Sequence, residues 1–142
     1  MKRSLLYSFF ILISTVFLSC SGHKHEHREI TPDLEEANSI HQSSLDLREE
    51  IMEMEKSLRD SGIDYTNLKD ELKIWDKDII EVPGFEHSHD DEHQRKYHVH
   101  NPSKPFSDAE HLEYQKVMLD EIAGIHERMK VLLAPKVMEV EG

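Results

Sequence analysis

A chain of 142 residues with 29 acidic and 17 basic side chains carries a formal charge of −12, together with eleven histidines and a single cysteine. So acidic a surface repels nucleic acid and anionic headgroups and favours cations, which argues against any nucleic-acid-binding role. With Cys20 the only cysteine, no intrachain disulfide can form, whatever the redox compartment.

The elements begin with a targeting segment over residues 1–19. Lys2 and Arg3 form a short positive region, followed by an apolar stretch of 14 residues, Leu5 to Leu18, interrupted by Ser8, Ser14 and Thr15. A membrane-spanning helix needs about 20 residues, so the stretch has the length of a signal-peptide core instead. Phe17-Leu18-Ser19-Cys20 closes it and resembles the lipobox of bacterial lipoproteins, although Phe17 stands where an aliphatic residue is commoner. The resemblance implies cleavage before Cys20, lipidation of that cysteine, and a domain held at the inner or outer membrane, in the periplasm or at the cell surface. Removing residues 1–19 leaves 123 residues, enough for one domain, and takes the net charge to −14.

Residues 20–32 read as a lipidated, histidine-rich tether. Ser21-Gly22-His23-Lys24-His25-Glu26-His27-Arg28 has no apolar periodicity, and its plainest role is a spacer. A helical domain follows over 33–135, with 136–142 as a loose tail. The first helix is predicted over about 33–60, opened by Thr31-Pro32 and an acidic first turn and closed by Ser61-Gly62. Its seam, Ala37, Ile40, Ser44, Leu47, Ile51, Met54 and Leu58, has the alternating 3/4 spacing that asks for partner helices. A second helix is predicted over about 65–81, capped by Asp64 or Thr66 and ended by Pro83-Gly84. Its face is Tyr65, Leu68, Leu72, Trp75 and Ile79, widened by Ile74 and Ile80. The third, over about 107–133, opens on the capping box Ser107-Asp108-Ala109-Glu110, with Phe106 in the staple position. Its seam is Met118, Ile122, Ile125, Met129 and Leu132, with His111 and Gln115 in the polar opening turns, and Pro135 stops it.

The expected fold is therefore all-α, a three-helix up-down-up bundle or a helical hairpin with a short extra helix, with a long histidine-rich loop over 82–106. A structureless connection of that length is uncommon in a compact domain and is usually functional or disordered. In the up-down-up topology the first and third helices start at one end. The tether then lies close to the loop, with His41 and His111 near the same end.

The loop and tether carry the functional clue. In an extended segment residues i and i+2 point the same way, so His-x-His can clasp one ion, and the chain has four such pairs: His23/His25, His25/His27, His87/His89 and His98/His100. His93 joins them if the loop coils, and Asp90, Asp91 and His111 are possible additional ligands. Imidazole titrates near pH 6.5, leaving much of it neutral and able to donate a lone pair. Nitrogen-rich ligation without thiolate suits Zn²⁺, Cu²⁺ or Ni²⁺, with zinc or copper the expected cofactor. The bland alternative is a hydrophilic loop that binds metal weakly and to no purpose. His41 and His126 adjoin the seams and read as flanking surface residues, Trp75 as core, and the helical methionines as packing. No His-Glu-x-x-His, nucleophile elbow, phosphate loop or dinucleotide fingerprint is present, so no enzyme is expected.

The helical stretches Ile40-His41 through Leu58, Leu72-Lys73-Ile74-Trp75 and Tyr114 through Leu133 resemble a group of small helical lipoproteins of Bacteroidota-type bacteria, often named viral A-type inclusion proteins. The likeness covers about half the mature chain and implies fold and address; the group carries no established activity, and the histidine-rich loop departs from it. The functional expectation is a lipid-anchored, non-enzymatic metal-binding protein. Its alternative is an envelope-structural or interaction lipoprotein whose seams recruit partner helices or a second copy.

Overall fold

A computed structural model describes residues 29–86, 96–99 and 101–134. They form three helices, α1 (Pro32–Asp60), α2 (Thr66–Asp78) and α3 (Asp108–Leu133), and no strand is found among them. The predicted signal peptide, Cys20, the tether to Arg28 and the tail from Pro135 lie outside the described residues.

Local chemistry sets the helix ends. Thr31 Oγ1 accepts from the Leu34 amide, and Pro32 occupies the first turn, where its missing N–H costs nothing. At the other end Gly62, with φ +64°, donates to Arg59 O, while Ile63 donates to Leu58 O. This pair of bonds is a Schellman closure, with Ile63 folded back onto the cluster that holds Leu58. Tyr65 is the N-cap of α2 without a side-chain cap bond; one residue earlier the Asp64 carboxylate accepts from the Thr66 hydroxyl (2.7 Å) and amide (3.0 Å), which hold it below the usual carboxylate range. Ser107 and Glu110 form the reciprocal capping box on α3, and Phe106 packs on His111, the residue a staple would reach.

The topology is up-down-up. α1 and α3 run parallel, joined in ascending order by Thr31–Asp108 (2.8 Å), His41–Gln115 (3.2 Å) and Glu50–His126 (2.9 Å). α2 runs antiparallel to α3, through Tyr114 to Asp78 O, Trp75 to Met118 O (both 2.8 Å) and Arg128 to Glu71. α3 is the shared partner: α1 and α2 each pack on it and make no backbone-close contact with one another. Trp75, Leu72, Ile51, Leu58, Ile122 and Met129 fill the main core.

The sequence reading needs three corrections. α2 stops at Asp78 rather than near Glu81, because Ile79 turns extended (ψ 131°). Ile79, Ile80 and Val82, all sealed from solvent, then run straight toward the start of α3. The buried face of α1 is rotated from the predicted seam toward His41, Leu45 and Arg48, leaving Ile40, Leu47 and Met54 half-buried. Ile74 and Leu132, assigned to apolar faces, are exposed.

The long connection is not a featureless loop where it is described. Residues 96–99 and 101 bridge α1 and α2, Lys96 and Tyr97 bonding Glu49 and Asn101 bonding Asp76 O. Val99 enters the core, and Asn101 Nδ2 donates to Asp76 O and Ile79 O, while its carbonyl accepts from the Glu81 amide.

Candidate functional site

Two junctions hold the flanks of the histidine-rich segments. The first is the pole where α1 and α3 begin. Val82-Pro83-Gly84-Phe85 forms a turn closed by the Phe85 amide on Val82 O (3.0 Å), with Gly84 at φ +84°. Proline followed by a left-handed glycine is the pattern of a type II turn. Ile30 is seated directly on Gly84: a methyl group added there would collide with Ile30 Cδ1. Only glycine satisfies both the backbone angle and the close approach. One bond further along, Thr31 ties α1 to α3 through Asp108. The last residues of the tether therefore lie against the first residues of the connector.

The second junction clasps the connector's other flank. Glu49 Oε1 accepts from the amides of Lys96 (3.1 Å) and Tyr97 (3.4 Å), and Lys96 Nζ reaches Glu53 at 2.9 Å. That ammonium holds the Glu53 carboxyl below its ordinary range, but both groups are solvated and the pair adds little. The Tyr97 ring stacks under the Arg48 guanidinium at 5.0 Å, and its hydroxyl donates to Asp76 at 2.7 Å. Burial, then the bond to Asp76, push the Tyr97 phenol well above its usual range, keeping it a donor. Arg48 grips the same Asp76 with Nε (2.8 Å) and a terminal nitrogen (3.0 Å). At 1.5 Å of rise per residue, Glu49 lies roughly 25 Å along α1 from Thr31. The connector thus leaves the pole at Val82, is clasped well down the bundle at Lys96 and Tyr97, and returns to the start of α3 at Phe106.

Of the predicted ligands, His23, His25, His27, His87, His89, His93, His100, Asp90 and Asp91 lie outside the described residues, as does the lipidation candidate Cys20. His98 is described and half-buried, between the inward-facing Tyr97 and Val99. His111 does lie near the pole, but it is sealed from solvent and its Nε2 donates to Lys104 O at 3.1 Å, so it serves the fold. Among the described residues no three His, Asp or Glu side chains converge as a metal site.

His41 and His126, expected at the surface, are buried at the α1–α3 interface, 6% and 8% exposed. Gln115 Nε2 donates to Ile80 O at 2.9 Å, so Gln115 Oε1 must accept, and His41 therefore carries its proton on Nδ1. His126 sits between Glu50 and its own neighbour Glu127. A histidine one position off an apolar seam was the available signal for both.

No family model matches the chain, and neither a curated protein nor a solved structure is similar to it. Among the described residues no helix is long and apolar enough to cross a membrane.

Proposed function

We propose that this chain is an exported, lipid-anchored, non-catalytic protein that binds a divalent transition metal, zinc or copper, through the imidazoles of its tether and connector. The observation that carries the reading is the seat of Ile30 on Gly84. His27 and His87 each stand three residues from that contact, no more than about 10 Å of chain apiece. The ion favoured by this arrangement is shared by His23, His25 and His27 with His87 and His89. His93, His98 and His100 flank the lower clasp and form a secondary set. Anchoring both flanks on a folded bundle lowers the ordering cost that weakens metal binding by an unstructured peptide.

Equilibrium dialysis of the tag-free mature protein against Zn²⁺ or Cu²⁺ tests this. Saturable binding is expected, lost when the tether and His87/His89 histidines become alanine. The two sets should be non-additive, as ligands of one ion are, while His98→Ala should be additive with either. Binding no tighter than about a millimolar dissociation constant would refute the metal role. A second reading, docking of a partner helix or another copy, is favoured by the exposed Ile74 (61%) and Val117 (53%) on the outer faces of α2 and α3. It predicts association that a chelator leaves unchanged, read by sedimentation.

A further inference from the structure

Five large apolar side chains are exposed among the described residues: Ile74, Phe85, Val117, Val131 and Leu132. Four of them lie along the flanks or at the far end of the bundle. Phe85 alone is at the pole from which the tether leaves. Its position is built rather than incidental. Val82 and Pro83 are buried beneath it, Gly84 is pinned by Ile30, and the Gly84 amide is closed by the Glu86 carboxylate at 2.9 Å. The turn is rigid at its base and presents its aromatic residue outward, one residue from the chain that leads to Cys20.

We infer that the Pro83-Gly84-Phe85 turn is a membrane-interface contact, Phe85 entering the headgroup region of the zwitterionic bilayer that holds the acylated Cys20. This rests on the lipid-anchor part of the proposed function, not on its metal part. Ile30 is ten residues beyond Cys20, at most about 35 Å of extended chain. That is shorter than α1, whose 29 residues span about 43 Å. The leash therefore keeps the turn at high local concentration against the bilayer, where an aromatic ring with an apolar face and solvated neighbours is at home. Lys104, just before α3, turns its ammonium onto the Phe106 and Tyr114 rings, 5.9 and 4.9 Å away, and leaves the tip of the turn to Phe85. Asp33, Glu86, Asp108 and Glu110 surround the same end, so the partner is a zwitterionic surface and an anionic one is disfavoured.

The mature lipidated chain offers a clean test, because its only cysteine is consumed by the lipid. A fluorophore is placed at Lys104→Cys, or at Ser57→Cys about 38 Å away along α1. The protein is mixed with vesicles of phosphatidylcholine and phosphatidylethanolamine carrying a headgroup-level spin-label quencher. The pole label should be quenched several-fold more than the distal one, and Phe85→Asp should bring it down to the distal level with the helical circular dichroism intact. Phe85→Ser serves as a second variant free of added charge. Protein that fails to float with vesicles overturns the anchor and this contact together. Protein that floats with both labels equally quenched, or with the pole label indifferent to both Phe85 variants, overturns the contact alone.

Discussion

α3 has two working faces, and they are built on opposite chemical plans. Against α2 it presents Met118, Ile122, Ile125 and Met129 to Leu68, Leu72 and Trp75, a face whose only buried polar bond is the Trp75 indole on Met118 O. Against α1 the interface is threaded with buried polar groups, His41, Ser44, His111, Gln115 and His126, beside a smaller apolar cluster of Leu34, Ala37 and Leu112. α2 can pack by shape because its side chains are large and their complement is local. α1 and α3 are parallel and 47 residues apart in the chain, so no short turn sets their offset. The pairs that cross between them, His41–Gln115 and Glu50–His126, do so, because a slip by one turn would leave the buried groups without their partners. The apolar face supplies stability; the polar face supplies register.

The strongest challenge to that division is Trp75→Ala. It empties the largest core position and removes the indole bond to Met118 O, and should cost about 3–5 kcal/mol, read by urea denaturation. A loss below about 1 kcal/mol would mean the α2 face is not the stabilising one. Arg48→Met should cost about 2–3 kcal/mol by leaving Asp76 and Glu55 facing each other without a cation, a figure set below the fully buried case because Asp76 is part-exposed. Adding Asp76→Asn should recover part of that loss. Gln115→Leu orphans Ile80 O and the His41 Nδ1 proton together and should cost about 2 kcal/mol. A double-mutant cycle with His41→Leu should show coupling, and additive losses would remove Gln115 from the register device. Ser107→Ala is the smallest change, about 1 kcal/mol for a lost cap.

The capping box also carries a pH signature. The Ser107 amide and hydroxyl hold the Glu110 carboxyl below its ordinary range. A depressed folded-state value means the contribution is present above the unfolded carboxylate's range and is lost as pH falls through the folded one. Thermal melts of the Ser107→Ala variant should accordingly show a shallower acid-side loss than the parent.

Much of this fold could be read from residues alone, because helix ends are local chemistry. Thr31-Pro32, Ser61-Gly62 and Ser107 through Glu110 each act within four residues of themselves, and all three work as their types imply. The parallel start of α1 and α3 followed from helix lengths and connection lengths. What could not be read were the non-local choices. Ile79 and Ile80 suit a helix face as well as they suit an extended run; the cradle beside α3 decides between the two. Tyr97 and Val99 have no periodic neighbours, so nothing local marks the segment that fills the gap between α1 and α2. His41, His111 and His126 were classed by residue type, yet each is made internal by a specific acceptor on another element or in the connector: Gln115, Lys104 O and Glu50. At the candidate site, the seat of Ile30 on Gly84 is a distant pairing that no spacing rule anticipates.

Because α1 and α2 make no backbone-close contact and each packs on α3, the order in which the chain is synthesised matters. Until the last of the three helices is available, the first hundred residues have a hairpin turn and the Arg48–Asp76 pair but lack the main surface on which to close. Completing the core means joining segments far apart in sequence, a step slow to nucleate. A polypeptide built this way stays pliable through most of its emergence and locks only once α3 is in place.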